Sequence, residues 1–88
     1  MRKVVIRAPR RVATLLEEKL RNTYEVRLEE IPDNPKSVCQ IMAKISRKWI
    51  TICSFASDEN LMDIVTMFEV NLMQRKSRVF PGAFLSLN

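Results

Sequence analysis

The apolar positions change period several times along the chain, and each change marks an element. Val4, Val5 and Ile6 make a short apolar run that stops at Pro9, the pattern of a strand over Lys3 to Ala8. Pro9 suits the first turn of a helix, where its missing N–H is not needed. Beyond it Val12, Ala13, Leu15, Leu16 and Leu20 recur on one helical face, with Arg10, Arg11, Thr14, Glu17, Glu18 and Arg21 opposite, so residues 10–22 read as an amphipathic helix. A period of two follows, with Tyr24, Val26 and Leu28 alternating with charged residues until Pro32 and Pro35 break the run. That stretch is either an edge strand or a docked arm.

Val38 to Ser46 and Trp49 to Ala56 carry the strongest β signal and flank Arg47-Lys48 as a tight hairpin turn. With Ser46 opposite Trp49, one face collects Cys39, Ile41, Ala43, Ile45, Ile50 and Ile52 as the core side. The other face collects Val38, Gln40, Met42, Lys44, Trp49, Thr51, Cys53 and Phe55. Ser57 before Asp58 and Glu59 reads as the N-cap of a second helix running to about Arg75, with Leu61, Ile64, Val65, Phe68 and Leu72 as its core stripe. The order predicts an α+β domain, a two-layer sandwich with two helices on one face of a mainly antiparallel sheet. Residues 1–80 form the single domain and 81–88 a short tail after Pro81-Gly82.

Composition narrows the function classes. The 88 residues fit one domain. They include no histidine, which removes the commonest general base and metal ligand, and one glycine, Gly82, which cannot build a Gly-rich phosphate cradle. Cys39 and Cys53 lack a second pair and read as buried free thiols, so no metal and no cofactor are expected. Asp33, Asp58 and Asp63 have ordinary places at a turn, a helix start and a helix surface, while the adjacent Glu29 and Glu30 would point apart in a strand. No catalytic residues are expected and the chain reads as no enzyme. It has no apolar run of roughly 18 residues and no signal-like start, so a cytoplasmic protein without membrane contact is expected.

Two groups of apolar residues exceed what two layers bury. Val38, Met42, Trp49, Cys53 and Phe55 lie on the sheet face away from the helices, and Met62, Met67, Val70 and Met73 fall outside the core stripe of the second helix. An exposed apolar patch commonly marks an interface, and methionine adapts to partner surfaces, so these nine are the expected dimer or partner interface. Two other covers for the sheet face are a C-terminal segment carrying Phe80, Phe84 and Leu85, and nucleic-acid bases stacked on Trp49 and Phe55. The net charge of +5 is uneven, basic at both ends and acidic over residues 23–36 and 57–71. Arg10, Arg11, Arg47, Lys48, Arg75 and Lys76 are the candidate nucleic-acid contacts.

Taken together, Val5-Ile6-Arg7-Ala8-Pro9, the helix, the polar extended stretch, the hairpin, and Phe55-Ala56-Ser57-Asp58 leading through Leu61 into a long helix resemble the small dimerising subunit of the KEOPS complex. That complex installs the threonylcarbamoyl group on tRNA adenosine. The resemblance spans residues 3–80. It implies a noncatalytic subunit that dimerises through its sheet, offers its helices to a catalytic subunit, and works on tRNA as the ultimate substrate. Asp63 and Phe68 stand near the places where the family often has arginine and asparagine, so those contacts do not carry over. A divergent paralogue fits this departure, pairing as a homodimer or as a heterodimer with the standard subunit. An autonomous basic nucleic-acid-binding protein and a small viral inhibitor of a host protein are the rival readings.

Overall fold

The computed structural model describes residues 1–76 and runs β1 (Lys3–Ala8), α1 (Arg10–Leu20), β2 (Glu25–Glu30), β3 (Val38–Ile45), β4 (Lys48–Ala56) and α2 (Leu61–Lys76). The tail expected at 81–88, and with it Phe80, Phe84 and Leu85, lies outside the described residues. The chain has the α+β fold read from its sequence, with the strands in the order β2-β1-β3-β4. β1 pairs antiparallel with β3 and β3 with β4, whereas β2 lies parallel to β1, reached through the α1 crossover. The stretch after Tyr24 is thus an edge strand.

Alternation decides what each strand buries. Val4, Ile6 and Ala8 of β1 and Cys39, Ile41 and Ala43 of β3 face the helices, each at or below 1% exposed. Val12, Ala13, Leu16 and Leu20 of α1 and Ile64, Val65, Phe68 and Leu72 of α2 close the core from above. Phe68 is its largest fully buried side chain and meets the Tyr24 ring edge-on, with centroids 5.4 Å apart and planes at 78°.

Three local features differ from the sequence expectation. The first is the hairpin: Ile45 opposes Lys48, so the two central turn residues are Ser46 and Arg47, not Arg47 and Lys48. Both have positive φ, 51° and 68°, the backbone of the two-residue loop whose twist matches the strands. Neither residue relieves the left-handed strain that glycine would. Arg47→Gly should therefore raise stability by about 0.5–1 kcal/mol, the relief of a left-handed non-glycine residue less the added freedom of the unfolded chain. A urea midpoint that falls would contradict this turn assignment.

The second is a β-bulge. Met42 pairs with Thr51 but Ile41 pairs with Cys53, so Ile52 is an extra residue on β4. Alternation restarts one residue late. Cys53 and Phe55, expected on the open face, are instead sent into the core at 4% and 6% exposure, beside Cys39 and Ile41. The third is the start of α2. The cap is Asn60 and not Ser57, because the Asn60 Oδ1 accepts the backbone N–H of Met62 at 2.9 Å and of Asp63 at 3.2 Å. Ser57 is buried in the preceding turn, where Glu59 N–H bonds the Ala56 carbonyl.

Candidate interaction surfaces

Helix α2 is apolar on two opposite sides. Ile64, Phe68 and Leu72 recur every fourth residue and turn inward, while Met62 and Val70 stand on the far side at 56% and 45% exposed. Met67 at 37% and Met73 at 65% flank that ridge, and Thr66 sits between Met62 and Val70. All four residues placed outside the core stripe by sequence are therefore at the surface. Helix α1 carries one such outward residue, Leu15.

The other surface is the sheet face that no described helix covers. Strand alternation brings to it Lys3, Val5 and Arg7 from β1, Glu25, Arg27 and Glu29 from β2, Val38, Gln40, Met42 and Lys44 from β3, and Trp49, Thr51 and Ser54 from β4. Of the apolar set expected here, Val38 is exposed at the start of β3, Met42 is half-buried, and Trp49 is exposed. Val5 is buried although it points away from the helices. Two cations lie over Trp49, the Arg27 guanidinium and the Lys44 ammonium each 5.9 Å from its ring centroid. Arg27 and Trp49 come from the two opposite edge strands. Open depressions of about 240 Å³ and about 180 Å³ flank this pair, the first lined by Lys3, Glu25 and Lys44, the second by Arg7, Glu29 and Met42.

The six basic residues singled out by sequence do not converge. Arg10 and Arg11 open α1 beyond the C-terminal end of β1, where no acidic residue occupies the helix's first turn. Carboxylates from other elements take that place. Arg10 bridges Glu30 at 3.0 Å and Arg11 bridges Asp33 at 3.3 Å, which also sets negative charge near a helix N-terminus. These exposed pairs add about 0–1 kcal/mol each, yet they neutralise the two arginines as phosphate ligands. Arg47 and Lys48 lie at the opposite end of the sheet, at the β3–β4 turn, roughly 20 Å away along β1. Arg75 lies in the helix layer beside Ile52, Asn71 and Gln74, and Lys76 is the last residue of α2. Sequence reading missed Arg27 as a member of a site. The signal was the charged alternation of Glu25, Arg27 and Glu29, which acquires meaning only once β2 is known to pair with β1.

The thiols are not a reactive site. Cys39 and Cys53 are free and buried. Burial pushes the Cys53 thiol up to about 11 against the opposing pull of a backbone hydrogen bond at Ile41, and burial likewise raises Cys39. Tyr24 is raised too, by burial and then by the Glu69 carboxylate. A folded state that holds a proton more tightly than the unfolded chain is favoured below the unfolded pKa, near 9.0 for the thiol. Stability should therefore be lost as pH rises from about 9 towards 11. Urea midpoints across that window should fall less steeply in Cys53→Val; an equal slope would show that the thiol contributes nothing.

Among the described residues no group of three or more His, Cys, Asp or Glu is placed to hold a metal ion, and no helix is long and apolar enough to cross a membrane. No protein-family model, no curated protein and no solved structure matches this chain.

Proposed function

We propose that the chain is a noncatalytic interaction subunit whose second helix docks on another polypeptide, a second copy of itself in the simplest assembly, within a tRNA-modifying complex of the threonylcarbamoyladenosine type that its sequence resembles. The observation that supports this reading is the outward apolar ridge of α2, centred on Met62 and Val70. A helix packed on one layer normally has a polar outer side, and one that is apolar all round is normally buried all round. Charge favours a second copy. Asp58, Glu59 and Asp63 mark the N-terminal end of the helix, and Arg75 and Lys76 the C-terminal end. Antiparallel pairing about a two-fold axis sets each acidic end near the partner's basic end, with the dipoles opposed.

The size of the ridge sets the expected strength. Sixteen helical residues span about 24 Å, and a strip one helix wide covers a few hundred Å² per partner. That is below the roughly 800 Å² per partner of standard interfaces, so a micromolar dimer is expected rather than an obligate one. Thr66 lies near the middle of the ridge, which gives a geometric test. Under mild oxidation Thr66→Cys should form a disulfide with its own copy, whereas Asp58→Cys, displaced from the two-fold axis, should not. Equal cross-linking at both positions would contradict antiparallel docking. The native thiols are buried and leave this experiment undisturbed.

A further inference from the structure

We propose that the uncovered sheet face, at its hairpin end, binds single-stranded nucleic acid, with the Trp49 ring stacking on an unpaired base and Lys3, Arg27 and Lys44 contacting the adjacent phosphates. This face lies on the side of the sheet away from α2, so the site is independent of the ridge and both can be occupied together.

Three observations converge on it. First, Trp49 is both accessible and positioned: it is 42% exposed, with the Arg27 and Lys44 cations each 5.9 Å from its ring centroid. Val5 beneath the same face is only 2% exposed, so the patch has an apolar floor that is already covered. A ring placed in this way loses little conformational freedom when a base stacks on it. Second, positive charge concentrates at the same place. Lys3, Arg27 and Lys44 lie on this face at this end, with Arg47 in the adjoining turn, against the carboxylate of Glu25, and none of the four is ion-paired among the described residues. Arg7, Arg10 and Arg11, further along the molecule, are all paired. Third, the depressions on either side of the Arg27–Trp49 pair continue the surface across the sheet.

The chemistry selects the ligand. An apolar protein partner would bury unpaired cations at a large cost. An acidic peptide would satisfy the charge and leave the ring unused. A duplex keeps its bases stacked and offers a flat sheet no groove-reading element. Unpaired nucleotides present both a π-face and a phosphate per step, the combination that aromatic platforms in basic surfaces recognise without sequence preference.

Because Trp49 is the chain's single tryptophan, its fluorescence reports on the site directly. Oligouridylate and oligothymidylate should quench it at low salt, with binding weakened by salt on a log–log slope of about −2 for three phosphates neutralised. Tighter binding by either oligomer supports the proposal. With labelled oligonucleotide followed by anisotropy, Trp49→Leu should weaken binding about 10- to 100-fold, the range of one lost stacking contact. Lys44→Glu, an exposed change on an intact fold, should weaken it at least about 10-fold. Arg10→Glu at the far end of the sheet should change it less than about 3-fold. The proposal is overturned if neither oligomer quenches Trp49, if Arg10→Glu weakens binding as much as Lys44→Glu, or if polyglutamate binds as tightly as the oligonucleotides.

Discussion

Phe68→Ala will cost the domain about 3–5 kcal/mol, the range for emptying a fully buried aromatic site. Three observations place Phe68 at the upper end of what this fold can lose. It is 0% exposed, it is the largest fully buried side chain, and its ring is the partner of Tyr24 across the layer boundary. The Tyr24 contact carries about 0.5–1.5 kcal/mol beyond area burial, and its loss leaves Tyr24, already half-buried, without its edge-on neighbour. A small domain is stable by only about 5–15 kcal/mol, so the variant should sit close to its unfolding threshold. With a urea slope of about 1–3 kcal/mol per molar, the midpoint should move down by roughly 1–5 M. A shift below 0.5 M would mean that the core collapses around the gap, and that Phe68 is not the keystone its burial indicates.

Met62→Glu combined with Val70→Glu will do the opposite, leaving the fold almost untouched and abolishing association. Both side chains are exposed in the single chain, and surface substitutions usually change stability by no more than about 0.5 kcal/mol. In the antiparallel dimer the same positions face apolar groups of the partner. An unpaired carboxylate there costs several kcal/mol, enough to raise a micromolar Kd by at least about 100-fold. The pair of measurements separates an interface from a core. Loss of stability in the isolated chain would show that the ridge supports the fold, whereas unchanged association would show that it touches nothing.

The two kinds of prediction draw on features of different legibility. The helical stripe from Val12 to Leu20 and the inward positions Ile64, Phe68 and Leu72 repeat at a local period, and so could be read directly from the letters. So could the inward Cys39, Ile41 and Ala43. The bulge could not. Residues 49–56 contain no glycine or proline to mark an extra residue, and Ile52 suits a strand as well as any neighbour does. One unmarked insertion was enough to place Cys53 and Phe55 on the wrong face. The outward side of α2 was legible because it depends on that helix's own period. The uncovered face was legible only in its hairpin part, Val38, Met42, Lys44 and Trp49, because what β1 and β2 add to it depends on non-local pairing. Arg27 reaches Trp49 only when β2 joins β1 at one edge and β4 joins β3 at the other. In the same way, Arg10 and Arg11 look available in sequence until the end of β2 and the following turn bring Glu30 and Asp33 beside them.

The central claim is that α2 carries an interface, and sedimentation equilibrium of the purified full chain tests it most directly. Across concentrations from about 1 to 100 μM, bracketing the micromolar affinity argued from the ridge area, the weight-average mass should climb from 10.3 kDa towards twice that value. The Met62→Glu, Val70→Glu chain should stay at 10.3 kDa throughout. A wild-type chain that remains at the single-chain mass over the whole range, or a double variant that dimerises as readily as the wild type, would contradict the account.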